Sequence, residues 1–151
     1  FSNSSIKLGL YHNDELVSLM TFGYRRTNAK KEFELIRFCN RLNTNIVGAS
    51  SKLFKYFLKN FTIEEDYILS YADISLFDGK MYDMLGFKEI HLTVPNYFWV
   101  VNRKREHRWK YNKQKLIKEG FDSTKTENEI MHERGYYRIF SCGQKRYEYR
   151  I

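Results

Sequence analysis

Residues 33–61 pass from a strand-like run through a Gly/Ser turn into a helix-like run, and that order limits the chain to folds in which strands and helices alternate. Phe33-Glu-Leu-Ile-Arg-Phe-Cys39 is rich in β-formers. Leu53, Phe54, Phe57, Leu58 and Phe61 recur at helical spacing. Between them, Asn45-Ile-Val-Gly-Ala-Ser-Ser-Lys52 places one Gly and two Ser where the helix starts. Small residues there leave backbone N–H groups unobstructed, and the helix dipole favours an anion, so Val47, Gly48, Ala49, Ser50, Ser51 and Lys52 suit a phosphate cradle. Gly and Ser also begin helices for capping reasons alone.

The flanking residues extend the plan. Ile6–Tyr11 and Leu16–Phe22 read as a hairpin turned at Asn13-Asp14, followed by a polar, basic loop from Gly23 to Lys31. Strict alternation in the next strand puts Glu34, Ile36 and Phe38 on one face and Phe33, Leu35, Arg37 and Cys39 on the other. A half-buried Arg37 needs a partner, either an ion-pair carboxylate such as Asp73 or a bound phosphate. Ile68–Ala72 reads as a buried strand ending at Asp73, and Gly79–Leu85 as a short helix stopped by Gly86. Phe87–Val101 gives one or two strands broken at Pro95. Thr126 and Glu129 have capping-box spacing for a helix to about Arg134, and Tyr136–Phe140 with Lys145–Tyr149 reads as a closing hairpin. The sum is a mixed α/β domain over 1–151, with a core at 6–101 and a basic extension, 102–151, packing on it.

Composition narrows the partners. At 42% hydrophobic and 17% aromatic, 151 residues can bury one core. No apolar run nears the roughly 20 residues that span a bilayer, so a soluble, cytoplasmic protein is expected, with Cys39 and Cys142 as reduced thiols. The chain opens at Phe1 rather than Met, which is compatible with a missing N-terminal segment such as a nuclease or other domain. The four His have no recognised ligand spacing, and the sequence spells out no metal site. Residues 1–95 hold 12 Lys/Arg and 11 Asp/Glu, whereas 96–151 hold 14 and 7, so nearly all of the +8 charge is C-terminal. Such asymmetry points to a polyanion, DNA before a membrane. Arg103, Lys104, Arg105, Arg108 and Lys110, interleaved with Trp109, combine phosphate contacts with a ring that can stack on bases.

Asn45-x-x-Gly48-x-Ser50-x-x-Leu53 resembles the pyrophosphate loop of GNAT acyltransferases, with Asn in place of the usual Gln or Arg. Tyr82-Asp-Met-Leu-Gly-Phe87 resembles that family's Tyr-x-x-Leu-Gly-Phe segment. The resemblance spans roughly 6–101 and implies a GNAT-like, mostly antiparallel central sheet with flanking helices, a C-terminal helix and a hairpin. Glu34–Cys39, Ser70–Asp73 and Gly79-x-x-Tyr82 look most like phage Mom-type DNA-modification proteins, and the whole pattern also resembles a domain at the C-terminal end of phage homing-type nucleases. The resemblance implies acetyl-CoA or a related acyl-CoA on residues 47–52, with Tyr82 as general acid. Asp73, at the carboxyl end of its strand, suits a general base or a group that orients a base of the substrate, and Arg37 is expected with them in the site. The expected function is acyl transfer to DNA bases in a phage-infected host. The alternative is a non-catalytic DNA-binding domain of a nuclease. Tyr82 equally suits a packing role, and Asp73 a cap.

Overall fold

Asn13 and Asp14 both take positive φ (48° and 62°), the two left-handed positions of a type I′ turn, and so join β1 (Ile6–His12) to β2 (Glu15–Thr27) through the tightest hairpin loop. The computed structural model describes residues 5–27, 30–63 and 66–151, with side chains described except at 25–31. β2 then pairs antiparallel with β3 (Lys30–Asn40) as far as Thr27↔Lys30. The loop expected at Gly23–Lys31 is therefore mostly strand, with 28 and 29 outside the described residues. Polar residues extend the strands there because ladder bonds come from the backbone, which Arg and Thr supply as well as Val does.

Six strands form the larger sheet in the order β1-β2-β3-β4-β9-β5, with β4 at Tyr67–Asp73, β5 at Lys88–Leu92 and β9 at Gln144–Arg150. Every neighbouring pair is antiparallel except β3 and β4. The helix α1 (Ala49–Phe61) makes that parallel crossover. Its Leu53, Phe54 and Phe57 form a buried stripe against Met20, Phe22, Phe33, Leu35 and Ile68. Phe57 stacks on Phe22 with centroids 3.5 Å apart and meets Phe33 edge-on at 5.1 Å. Each such ring contributes about 1.5–3 kcal/mol by burial. The short α2 (Lys80–Leu85) is closed by Gly86, left-handed at φ 87°, as the sequence predicts.

The chain groups into two compact units, Phe1–Thr93 with Gln144–Ile151, and Val94–Gly143. The boundary expected between 101 and 102 thus lies at 93/94, and the last eight residues belong with the first unit. The expected closing hairpin does not form. β8 (Tyr137–Phe140) pairs with β6 (Tyr97–Val101), while β9 pairs with β4 and β5 in the other sheet. The two runs are adjacent in sequence, but each finds its ladder with a distant strand.

In the second unit β6 is central in a three-stranded antiparallel sheet, order β7-β6-β8, with β7 at Lys104–His107. Asn102 and Arg103, at φ 50° and 61°, form a second I′ turn. A 3₁₀ turn (Arg108–Tyr111), α3 (Lys113–Lys118) and α4 (Glu127–Glu133) follow. Buried Trp99 of β6 packs with Leu116, Ile130 and Met131 from the helices. Thr126 and Glu129 make the expected capping box. Glu127 Oε1 accepts hydrogen bonds from the Tyr97 hydroxyl (2.7 Å) and Trp99 Nε1 (3.1 Å), so the polar ends of both aromatics are satisfied. Among the described residues no helix is long and apolar enough to cross a membrane.

Candidate functional site

Among the described residues three rungs join the parallel strands: Glu32↔Tyr67, Phe33↔Ile68 and Glu34↔Leu69. Beyond them β3 continues to pair with β2, and β4 with β9, but not with each other. Two features part them. In β3, Leu35 faces Phe22 and Arg37 faces Thr21, so Ile36 is an extra, bulged residue that bends the strand. In β4, Ser70 sits where the next rung would be, and its hydroxyl donates to the Leu35 carbonyl (2.7 Å). The result is a gap at the carboxyl ends of a parallel pair, where open α/β sheets place their ligands.

Tyr82 of α2 reaches this gap. Its hydroxyl lies 2.8 Å from Ser70 Oγ and 3.4 Å from the Tyr71 carbonyl. One serine proton serves one acceptor at a time. When it points to Leu35, Tyr82 donates to Ser70; when it points to Tyr82, Tyr82 donates to Tyr71. Burial raises the phenol above its ordinary pKa, outweighing the opposing hydrogen bond from Ser70, so Tyr82 keeps its proton. Tyr147 of β9, fully buried, stacks on it with centroids 4.6 Å apart.

The Gly/Ser turn enters α1 with Gly48 left-handed at φ 73° and no side-chain cap. Gly48 is exposed, and a Cβ placed on it would meet nothing within 4 Å, so the space beside it is open. Of the six residues predicted to hold an anion, Ala49 is buried with its N–H bonded to the Ile46 carbonyl, and the Lys52 N–H closes the first helical turn on Gly48. Val47 is exposed. Ser50 and Ser51 therefore present the first-turn amides that lack intrahelical acceptors. No acidic side chain lies in that first turn to compete for the dipole.

The expectation for Arg37 changes, and Asp73 shows the capping bonds that stood beside its reading as a base. Arg37 is exposed, not half-buried, because the bulge at Ile36 shifts it from the Leu35 face to the opposite one, beside Thr21. It shares that face with Glu34, so it needs no buried partner and is not gathered with Tyr82. Asp73 caps a local turn: Oδ1 accepts from the Ser75 N–H (3.0 Å) and hydroxyl (2.6 Å), and its carbonyl accepts from Leu76 and Phe77. Cys39 and Cys142 are both exposed free thiols.

The predicted nucleic-acid residues all lie in the second unit but do not share one face. Arg103 is in the hairpin turn, and Lys104 and Arg105 point to opposite sides of β7. Arg108 stacks over Tyr97 (5.4 Å) and Trp109 (5.6 Å), and Lys110 is ion-paired with Glu106. Trp109 is 62% exposed. Arg138, which the sequence reading passed over, lies over Tyr97 and Phe140. It sits outside the dense basic run, and only the β6·β8 pairing brings it in.

Among the described residues no group of three or more His, Cys, Asp and Glu is arranged to hold a metal ion. A concavity of about 330 Å³ lies elsewhere on the first unit, lined by Gly86, Lys88, Ile90, Glu148 and Arg150. Its charged lining is largely engaged internally, Glu148 with Arg146 and Arg150, so the inter-strand gap is the better candidate. No protein-family model and no curated protein matches this chain.

Proposed function

We propose that the six-stranded unit is a GNAT-type transferase that uses an acyl-CoA donor to modify DNA bases of a phage or its host. The observation that carries this reading is the parting of β3 and β4 after three rungs, with the Tyr82 hydroxyl bonded to Ser70 at the point of parting, in a unit whose crossover helix α1 starts without a side-chain cap. In this reading the Ser50 and Ser51 amides hold the donor's pyrophosphate, with Lys52 as an added cation. The acyl chain enters the gap, where unpaired strand edges replace its solvent with backbone dipoles. An exocyclic base nitrogen attacks the thioester carbonyl, the C–S bond breaks, and Tyr82 protonates the leaving thiolate. The amine's proton passes to Asp73 or to water.

Isothermal titration with acetyl-CoA tests the donor site, and mass spectrometry of digested DNA after incubation with donor tests transfer. Binding that Ser51→Asp abolishes, because a carboxylate then occupies the anion position, is the expected outcome. Absence of heat at millimolar donor overturns the catalytic reading. A second reading, a non-catalytic DNA-binding domain of a nuclease, is favoured by one feature: residues 94–143, with eleven Lys/Arg against six Asp/Glu, form a compact unit of their own. It predicts DNA binding that weakens steeply with salt and no donor site.

A further inference from the structure

Alternation along the three-stranded sheet sorts its side chains by face. Tyr97, Trp99 and Val101 pack with the helices. The opposite face carries two cross-strand rows, His107–Phe98–Ile139 and Arg105–Val100–Tyr137. Tyr137 is 59% exposed and Ile139 42%, Arg105 and His107 are exposed, and Phe98 and Val100 are half-buried. The Arg105 guanidinium lies 4.5 Å over the Phe98 ring, and His107 meets that ring edge-on at 5.7 Å. Tyr137 is flanked by His132 at 5.1 Å. Four planar groups thus stand on one open sheet face, in rows about 7 Å apart along the strands.

We propose that this face binds single-stranded nucleic acid by base stacking on Tyr137 and on the Arg105–Phe98 pair. Three observations select that occupant. A buried apolar interface with another protein favours charge depletion at its centre, whereas here a guanidinium occupies the platform itself. The unit bears a net charge of +5, which matches a polyanion. Rings and a guanidinium gathered on one exposed sheet face can stack only on unpaired bases, since a duplex keeps its base faces inside its own stack. The proposal rests on the nucleic-acid part of the reading above and not on the transfer chemistry. It moves the contact from the 3₁₀ segment around Trp109 to β7 and β8.

The test is fluorescence anisotropy of the whole chain with labelled oligodeoxythymidine of about 15 nucleotides and a duplex of equal length. Tyr137→Ala is expected to weaken single-strand binding roughly 5- to 100-fold, and Tyr137→Phe to restore it, because stacking needs the ring and not the hydroxyl. Arg105→Ala should also lower the salt slope by about 0.7, and Lys118→Ala on α3 should leave the stacking term intact. Tighter binding of the duplex, loss on Trp109→Ala with Tyr137→Ala unaffected, or no binding of either oligonucleotide would each overturn the proposal. So would a dimer in sedimentation that Tyr137→Ala dissolves, because the face would then serve a second copy. Acetyl-CoA titration of the same variants keeps a failure here separate from failure of the transferase reading.

Discussion

Gly79 and Tyr147 offer the sharpest test of how the candidate site is held. Gly79 precedes α2 at φ 88°, and a Cβ built on it would lie 1.9 Å from the Tyr147 hydroxyl and 2.9 Å from its Cζ. Tyr147 cannot swing away, being fully buried in a strand paired on both sides and stacked on Tyr82. Gly79→Ala therefore combines a left-handed backbone cost of about 1–2 kcal/mol with overpacking of about 1–3 kcal/mol, for a loss of about 2–5 kcal/mol. The Tyr147 hydroxyl itself has no hydrogen-bond partner. Burial raises its pKa above the ordinary phenol range, and nearby Glu89 adds to this, but the contact lacks hydrogen-bond geometry. Tyr147→Phe removes a buried group of the kind that costs about 1–3 kcal/mol when unsatisfied, so it should be neutral or stabilising. In the Tyr147→Phe background the 1.9 Å approach is gone and the 2.9 Å one remains. Gly79→Ala should then cost less, with a coupling of about 1–2 kcal/mol. Urea unfolding read by far-UV circular dichroism is the assay, because Trp99 and Trp109 both lie in the other unit and their fluorescence reports on it. A Gly79→Ala protein within about 0.5 kcal/mol of the parent, or a Tyr147→Phe protein destabilised as much as the Gly79→Ala one, would refute the argument.

Three further predictions follow from named contacts. Tyr82→Phe should leave acetyl-CoA affinity unchanged and lower the transfer rate about 10²- to 10⁴-fold, the usual worth of a general acid; an unchanged rate in a product assay would remove Tyr82 from the chemistry. Glu127→Ala strands the Tyr97 hydroxyl and Trp99 Nε1 in a part-buried site, and should cost about 1–3 kcal/mol with a red shift of Trp fluorescence; an unshifted spectrum at parental stability would contradict it. The Glu129 carboxylate is held below its ordinary pKa by the Thr126 backbone N–H and then by the Thr126 hydroxyl. Its contribution to α4 is present above the unfolded value of about 4.3 and is lost as pH falls through the lower folded value. The protection factors for hydrogen exchange at Ile130 and Met131, which take out the intrinsic pH dependence of exchange, should therefore fall in acid, and Glu129→Gln should flatten that dependence.

Features set by a few neighbouring residues were legible in the sequence. The Asn13-Asp14 turn, the Gly86 stop, the Thr126–Glu129 box and the amphipathic face of α1 each depend on chain local enough to carry its own signal. Tyr82 and the Gly48 turn were found in the same way, because a helix start and a helix face are local objects. What the sequence could not contain was which strands meet. The bulge at Ile36 depends on register with β2, and it alone moves Arg37 from the core side to solvent. The separation of β8 from β9 is decided by competing ladders with β6 and β4, more than 30 residues away in each case. The gap between β3 and β4 exists because Ser70 takes the place of a rung, and the stacking face of β7-β6-β8 exists because pairing aligns residues from three separate runs. Local chemistry thus determined the turns, caps and apolar faces, while tertiary pairing decided the site, since backbone hydrogen bonds between distant strands carry no mark in the side chains that flank them.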